Sequence, residues 1–237
     1  MTLARTELLE DLAAQITEIC LVHPTRVAID GVDAAGKTVL ADELVQPLER
    51  LGRSVVRASI DGFHNSAEVR YRRGTTSPEG YYRDSFDHTG LIDSLLRPLG
   101  PHGTRSYRRS IFDFRSDSAL VSADEEEAPP DAVLLFDGVF LLRPELRRHW
   151  DFTVFVRAGF ETTVQRAEHR DLELFGTASD VRRRYEQRYI PGQELYLSEV
   201  QPESWASVVV DNNDPASPTL ARAAQQGDTP AGGPRRR

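Results

Sequence analysis

The apolar positions of the chain follow two spacings, which predict an alternation of strands and helices. Leucines and isoleucines recur at helical spacing near the start, which predicts an amphipathic helix over residues 3–20. Short apolar runs predict five buried strands, at 26–30, 54–60, 132–137, 152–156 and 207–211. The segments between them predict helices at about 37–50, 88–99, 160–174 and 179–189. A run that is apolar at nearly every position, as in 132–137, is typical of a strand covered on both faces.

This order predicts an α/β fold with a five-stranded parallel sheet, helices on both faces and right-handed crossovers. We expect one domain over residues 1–213, with a substrate-side insertion at about 62–128 and a lid segment at about 166–190. From residue 214 the apolar pattern ends, so 214–237 is predicted to be a disordered tail.

Composition narrows the class of protein. The net charge of -8 argues against a general nucleic-acid binder, and no apolar stretch is long enough for a membrane span. The start of the chain carries acidic residues and no apolar run, unlike a signal peptide. A single cysteine, Cys20, rules out an internal disulfide and favours the cytoplasm. We expect the first helix to bury this thiol.

A glycine-bearing loop between the first strand and the next helix carries the clearest chemical signal. Gly31-Val-Asp-Ala-Ala-Gly-Lys-Thr38 has two glycines separated by four residues, followed by Lys and Thr, which is the phosphate-loop pattern. The glycines let backbone N–H groups turn toward a polyphosphate, and the helix N-terminus adds positive potential. The expected ATP-binding residues are Gly31, Asp33, Ala34, Ala35, Gly36, Lys37, Thr38 and Val39. Lys37 would reach the β- and γ-phosphates, and the Thr38 hydroxyl would bind Mg²⁺.

Two carboxylates follow strands that should end beside this loop. Asp61 comes after the second strand and Asp137 ends the third, and the carboxyl ends of parallel strands form a ligand crevice. Asp61 could accept the proton of a substrate hydroxyl or bind Mg²⁺ through water, and Asp137 could hold Mg²⁺. A helix-cap or turn role before Gly62 is the alternative for Asp61, and a turn with Gly138 is the alternative for Asp137.

Arg166 and Arg170 lie four residues apart on a predicted helix and therefore share a face. Because phosphoryl transfer spreads negative charge over the moving group, arginines on a closing segment are expected to stabilise it. Surface arginines paired with Glu168 or Asp171 are the alternative.

With these residues in place, the chain resembles the uridine kinase family of P-loop kinases, which includes related nucleoside and pantothenate kinases. The resemblance covers about residues 26–212 and rests on the phosphate loop, Ser59-Ile-Asp-Gly-Phe63, Tyr82-Arg-Asp-Ser-Phe-Asp-His88, Ile111-Phe-Asp-Phe114, Leu135-Phe-Asp-Gly138 and Arg184-Tyr-Glu-Gln-Arg-Tyr-Ile-Pro-Gly192. It implies a P-loop NTPase fold, ATP and Mg²⁺ as cofactors, and Asp61 as the general base. In that family the acid that matches Asp87 holds ribose hydroxyls.

The expected acceptor-binding residues are Asp61, Phe63, His64, Tyr82, Phe86, Asp87, Phe112 and Asp117. His64 could bind the substrate or Mg²⁺-bound water, or simply pack in the loop. Two positions depart from the family pattern. Asp117 stands where uridine kinases usually have a base-contacting His, and an ionised acid cannot donate to a uracil carbonyl. The lid keeps Arg170-Asp171 but continues as Leu174-Phe-Gly-Thr177, without the usual arginines; residues 182–184 or Arg188 could take their place.

These observations predict a cytoplasmic, ATP-dependent kinase for a hydroxyl group of a nucleoside or nucleoside-like compound. Pantothenate, another vitamin precursor or a sugar is the alternative acceptor. A nucleotide-binding regulatory NTPase is the alternative of another class, although the guanine-specific Asn-Lys-x-Asp sequence is not in the chain. An inactive kinase-like protein would have lost Lys37 or Asp61, and both are here. Relatives associate, so we expect self-association without a distinct apolar stripe to mark it.

Overall fold

A six-stranded sheet forms the centre of the protein. The computed structural model describes residues 2–120 and 125–222. The strands are β1 (Thr25–Gly31), β2 (Val55–Ser59), β3 (Val133–Gly138), β4 (Phe152–Arg157), β5 (Val208–Asp211) and β6 (Thr219–Arg222). Their order in the sheet is β6-β5-β4-β1-β3-β2, and all neighbours except β5 and β6 are parallel. The predicted α/β fold with a parallel sheet is confirmed.

The predicted number of strands was wrong by one. Strand β6 pairs antiparallel with β5, with Leu220 opposite Val210, at the edge of the sheet. It lies within the stretch predicted as a disordered tail, so the ordered domain extends beyond residue 213. The remainder of that prediction, residues 223–237, lies outside the described residues.

Helices surround the sheet on both faces. They are α1 (Leu3–Thr17), α2 (Lys37–Arg50), α3 (Ala67–Arg70), α4 (Pro78–Asp84), α5 (His88–Leu91), α6 (Pro144–Arg147), α7 (Phe160–Arg170), α8 (Leu172–Phe175), α9 (Ala178–Arg184) and α10 (Ile190–Val200). Single turns of 3₁₀ helix cover Ile60–Phe63 and Pro202–Ser204, and π-helical turns cover Ile92–Leu96 and Tyr185–Tyr189. No helix within the described residues is long and apolar enough to cross a bilayer.

Strands β1 and β3 each have a neighbouring strand on both sides, and their burial follows from this interior position. Every residue of both strands is buried. One face packs against leucines of α1 and α2, among them Leu12 and Leu44, and the opposite face, which carries Phe136, packs in one cluster with Phe140 and Leu95. Helix α1 ends at Thr17, one turn earlier than predicted. Cys20 is therefore exposed, and the predicted burial of its thiol was wrong.

The first part of the substrate-side insertion predicted over residues 62–128 is helical, since it contains α3 and α4. Further along, two short antiparallel pairings join Ser106–Tyr107 to Glu126–Glu127 and Phe112–Asp113 to Ser118–Ala119. The insertion contacts the 3₁₀ turn after β2, because an isolated bridge joins His64 to Phe86 and the backbone N–H of Ile111 donates to the carbonyl oxygen of Gly62 at 2.9 Å. The insertion therefore covers the crevice edge of the sheet.

Candidate active site

The phosphate loop connects β1 to α2, as its sequence predicts. Gly31 has a φ of +152° and would drive a Cβ atom into the carbonyl oxygen of Val156 on β4. Gly36 has a φ of +98°, and a Cβ atom there would collide with the side chain of Asn212. Both positions require glycine. The backbone of the loop therefore leads directly into the N-terminus of the 14-residue helix α2. The N–H groups at such a helix N-terminus favour the binding of an anion.

Lys37 lies inside this loop. It is the single lysine of the chain and is only 8% exposed. Its Nζ donates to the carbonyl oxygen of Val32 at 2.7 Å. Burial lowers the pKa of Lys37, while the carboxylates of Asp33 and Asp30 oppose that shift. The ammonium group is thus held among acids at the point where a polyphosphate would meet the loop.

Thr38 and Asp137 are brought together as the sequence predicts. The Thr38 hydroxyl donates to Asp137 Oδ2 at 2.6 Å. The other carboxylate oxygen of Asp137 accepts from Arg57 Nη2 at 2.9 Å, and Arg57 also donates to the carbonyl oxygen of Leu135 at 2.6 Å. Sequence reasoning missed Arg57. The sequence feature that could have identified Arg57 is a cation at a half-buried position of β2, two residues before Ser59, the register partner of Asp137.

Asp61 lies on the 3₁₀ turn that follows β2, two residues beyond Ser59, the register partner of Asp137. Although its side chain is exposed, the walls of the crevice reduce its hydration and raise its pKa. The nearby carboxylates of Asp33 and Asp137 raise the pKa further, and His64 opposes them. The crevice therefore makes the Asp61 carboxylate a stronger base than a free aspartate, as suits a proton acceptor.

An aromatic wall stands beside Asp61, formed by His64, Phe86 and Phe114. The His64 ring centroid lies 4.7 Å from that of Phe86 and 5.2 Å from that of Phe114. His64 Nδ1 lies 3.0 Å from the carbonyl oxygen of Asp61, and burial lowers the His64 pKa. The ring is therefore neutral near pH 7 and donates through Nδ1. The sequence analysis named Phe112 and missed Phe114. Phe112 instead pairs with Ala119 in a short antiparallel strand pair.

Two of the expected acceptor residues do not reach the crevice. Phe63 is fully buried, with its ring 5.9 Å from that of Phe136. Tyr82 packs in the core with its ring 5.1 Å from that of Phe140.

Asp87 lies at the start of α5, where its carboxylate accepts from the backbone N–H of Gly90 at 2.8 Å. It therefore has a local capping role.

Asp117 has partners of its own, which explains an acid at this position. Its carboxylate accepts from Arg70 Nη2 at 2.7 Å and from the backbone N–H of Ala67 at 2.9 Å. The residue has a φ of +50°, in a turn that these bonds attach to α3. The charge of Asp117 is thus matched by Arg70.

Tyr81 and Gln193 are site residues that sequence reasoning missed. The Tyr81 hydroxyl donates to Asp33 Oδ2 at 2.6 Å, and Gln193 Nε2 donates to the same oxygen at 2.9 Å. Gln193 Oε1 also accepts from the backbone N–H of Asp33 at 3.0 Å. Tyr81 of α4 and Gln193 of α10 thus fix the position of Asp33 in the phosphate loop. Tyr81 and Tyr82 are adjacent, so only packing distinguishes them.

The two predicted arginines reach the phosphate loop. Arg166 Nη2 donates to the carbonyl oxygens of Asn212 at 2.8 Å and Asn213 at 3.0 Å. Arg170 pairs with Asp171 at 2.6 Å, and its pKa is raised by that partner despite partial burial. Both arginines line a cavity of about 480 Å³ together with Lys37 and Thr38.

Other arginines proposed for the lid are occupied elsewhere. Arg182 pairs with Glu168 at 2.6 Å. Arg188 is buried and donates to the carbonyl oxygens of Gly74, Thr75 and Ser77. It ties the insertion to the lid, whereas Arg166 and Arg170 face the phosphate loop.

Asp30 is a buried carboxylate directly beneath the loop. It accepts from the Tyr196 hydroxyl and from the backbone N–H groups of Gly31 at 2.8 Å and Leu142 at 3.3 Å. Burial raises the pKa of Asp30 from 3.8 to about 6, although these donors and Lys37 oppose the shift. Above that pH the fold holds a buried negative charge that only these donors stabilise.

The raised pKa predicts a pH-dependent stability. Because the folded-state value is higher than 3.8, the contribution of Asp30 is complete below about pH 4 and is lost as the pH rises through about 6. In urea unfolding, the stability of the wild type relative to Asp30→Asn should therefore fall by about 3 kcal/mol between pH 4 and pH 7. Asp11→Asn, which removes an exposed carboxylate of α1, is the control. A difference that stays constant with pH would contradict this assignment.

Comparison with known proteins agrees with this geometry. No protein-family model matches the chain. Uridine-cytidine kinase B of Dictyostelium discoideum is 26% identical over 178 residues, which are 74% of this chain and 70% of that protein. A possible uridine kinase from Bacillus stearothermophilus has the same fold, with a TM-score of 0.67 and 23% identity over 86% of this chain and 97% of its own. A putative fructose transport system kinase from a Silicibacter species also has a TM-score of 0.67, with 22% identity over 80% of this chain and 94% of its own.

The fold and the phosphate loop are similar to those of P-loop kinases. The uridine-cytidine kinase and the structural neighbours named above are uridine kinase-like P-loop kinases, and it is this group that the chain resembles.

Proposed function

We propose that the protein is an ATP-dependent kinase that transfers the γ-phosphoryl group to a hydroxyl of a nucleoside or nucleoside-like acceptor. One observation supports this most directly. A buried Lys37 in a phosphate loop and a Thr38–Asp137 pair stand at the same sheet edge as the exposed carboxylate of Asp61. Such an edge offers a donor site and a base for an acceptor within one crevice.

The residues fit ATP and Mg²⁺. Gly31 and Gly36 let the loop pack closely against Val156 and Asn212, and the backbone of residues 33–39 would hold the phosphates. The Thr38 hydroxyl and the Asp137 carboxylate supply oxygen atoms, the ligands that Mg²⁺ prefers. No cluster of three acidic, histidine or cysteine ligands occurs among the described residues, so phosphate oxygens and water would complete the shell. When bound, Mg²⁺ neutralises charge on the phosphate oxygens.

The chain's own groups would divide the transfer between them. Asp61 accepts the proton of the acceptor hydroxyl as its oxygen forms a bond to the γ-phosphorus. The bond from that phosphorus to the bridging oxygen breaks, and ADP keeps the electron pair. Lys37 and Arg170 lie where they can stabilise the charge on the migrating group. Arg166 instead holds the backbone after β5, and so supports the nucleotide side of the crevice.

The acceptor is the less constrained half of the proposal. The wall formed by His64, Phe86 and Phe114 offers an apolar face to a flat ring, which favours a nucleoside-like compound. Asp117, paired with Arg70, supplies no donor for a uracil carbonyl. Pantothenate, another vitamin precursor or a sugar remains the alternative acceptor. Asp61 as a water-mediated Mg²⁺ ligand, self-association and a cytoplasmic location remain predictions.

An acceptor panel tests the function. ADP release is coupled to NADH oxidation and measured with nucleosides, pantothenate and sugars, each in the presence of ATP and Mg²⁺. We expect at least one nucleoside-like compound to raise ADP release well above the rate without acceptor. A regulatory NTPase would release ADP at the same low rate with every compound. That result would contradict the kinase assignment.

A further inference from the structure

We propose that Arg5 on helix α1 positions the loop of residues 212–216 as the wall of the nucleotide cavity that faces the base. This proposal rests on the proposed function, because it takes the cavity beside the phosphate loop as the ATP site. The ligand is the base-bearing half of a nucleotide, and Arg5 is a positioning residue for it.

Arg5 is buried at the cavity although it comes from the start of the chain. The residue is 7% exposed and lines the cavity together with Val39, Asn212 and Pro215. Its Nη1 donates to Asn212 Oδ1 at 3.3 Å and to the carbonyl oxygen of Pro215 at 3.4 Å. The guanidinium group therefore bridges two points of one loop.

The same loop is held from two other sides. Asn212 Nδ2 donates to the carbonyl oxygen of Ala35 in the phosphate loop at 2.7 Å. Arg166 donates to the carbonyl oxygens of Asn212 and Asn213. On the α1 side, the Thr2 hydroxyl donates to the carbonyl oxygen of Ala216. Arg5 of α1 and Thr2, its N-cap, therefore supply the side-chain donors to the carbonyl oxygens of Pro215 and Ala216.

Glu43 orients Arg5 without joining the cavity. Its carboxylate accepts from Arg5 Nε at 2.7 Å and Nη2 at 2.6 Å, which fixes the plane of the guanidinium group. Since Glu43 belongs to α2, Arg5 connects the loop to the helix that begins at the phosphate loop. The donors of Arg5 are occupied by protein acceptors, so it acts on the ligand through the loop.

The cavity is lined by both polar and apolar groups. Lys37 and Thr38, at the start of α2, supply the ammonium and hydroxyl groups. Val39, which is 54% exposed, and Pro215 add apolar surface. Apolar surface in a cavity suits the planar ring of a base, and the volume of about 480 Å³ is within the range of ligand sites. Since Arg5 binds the Pro215 carbonyl, it helps to set the position of Pro215 in this lining.

The test compares two ligands of the phosphate loop that differ in the base. Isothermal titration calorimetry gives the Kd of ADP and of inorganic pyrophosphate, both with Mg²⁺, for the wild type and for Arg5→Ala. We expect Arg5→Ala to weaken the binding of ADP about tenfold, which is about 1.4 kcal/mol, and that of pyrophosphate less than twofold. A general loss of the fold would weaken both ligands alike.

Two further variants complete the design. Arg53→Ala is the matched control, because Arg53 donates to the Thr17 carbonyl at the far end of α1 and to the Asp131 carbonyl, away from the cavity. It should leave both Kd values unchanged. Arg5→Lys keeps a charge for Glu43 but loses the fork that reaches Asn212 and Pro215. It should also weaken ADP selectively, and it decides the matter if Arg5→Ala does not fold.

Equal weakening of both ligands, or an unchanged Kd for ADP in the Arg5 variants, would overturn the proposal while leaving the kinase assignment intact. A wild-type protein that binds neither ADP nor pyrophosphate would instead overturn the proposed function, and this proposal with it.

Discussion

Replacing Asp61 by Asn should lower acceptor-dependent ADP release by at least about 100-fold, the lower range for the loss of a general base. The substitution keeps the size and shape of the side chain and removes its ability to accept a proton. The crevice raises the pKa of Asp61 above its ordinary value, so activity should be lost as the pH falls through that raised pKa. Steady-state kinetics as a function of pH measure both effects.

The acidic limb of the pH profile identifies the role of Asp61. It should be present in the wild type and missing from the residual activity of Asp61→Asn. The Kd of ADP should be similar in the two proteins, because Asp61 belongs to the acceptor side. Asp93→Asn, which removes an exposed carboxylate paired with Arg97, is the matched control. Full activity in Asp61→Asn would refute the assigned base without refuting the kinase.

Lys37→Met should lower kcat by about 100- to 1000-fold, as expected when one preorganised donor to a developing charge is removed. Methionine keeps much of the apolar stem that Lys37 buries but lacks the ammonium group. Burial already disfavours the charged form of Lys37, while its attraction to Asp33 and Asp30 opposes that cost. Lys37→Met removes both the cost of burying the ammonium group and its attraction to the two carboxylates. We therefore expect the free energy of unfolding to change little.

Parallel measurements separate catalysis from folding in this variant. Urea unfolding should give nearly the wild-type stability, while kcat in the ADP-release assay falls. A large loss of stability accompanying the loss of activity would show that Lys37 serves the loop structure through its bond to the Val32 carbonyl. Retained activity with normal stability would remove Lys37 from the transfer step.

The donor side of the site could be predicted from sequence because parallel strands impose it. Once β1, β2 and β3 are recognised as neighbours, their carboxyl ends must meet at one edge, and Asp61 and Asp137 arrive there by topology. Strand β6 gave no such signal. Its four residues follow a polar stretch, and their strand structure depends on pairing with β5.

The acceptor side could be predicted only in part, because residue type does not decide orientation there. Phe63 and Phe114 are both phenylalanines near His64, yet only Phe114 reaches its ring. Tyr81 and Tyr82 are adjacent in one helix, and both rings lie 5.1 Å from that of Phe140, yet only the Tyr81 hydroxyl reaches Asp33. Such choices depend on packing between distant segments, which a periodic pattern does not encode.

A chain whose single lysine lies in its phosphate loop offers a direct spectroscopic view of that loop. Protein grown with lysine carrying ¹⁵N at Nζ would contain one labelled amine, at Lys37. Its NMR signal would need no assignment. Because Nζ bonds to the Val32 carbonyl in a buried setting, entry of a polyphosphate would exchange a neutral acceptor for an anion. The chemical shift of one nucleus would then follow nucleotide binding.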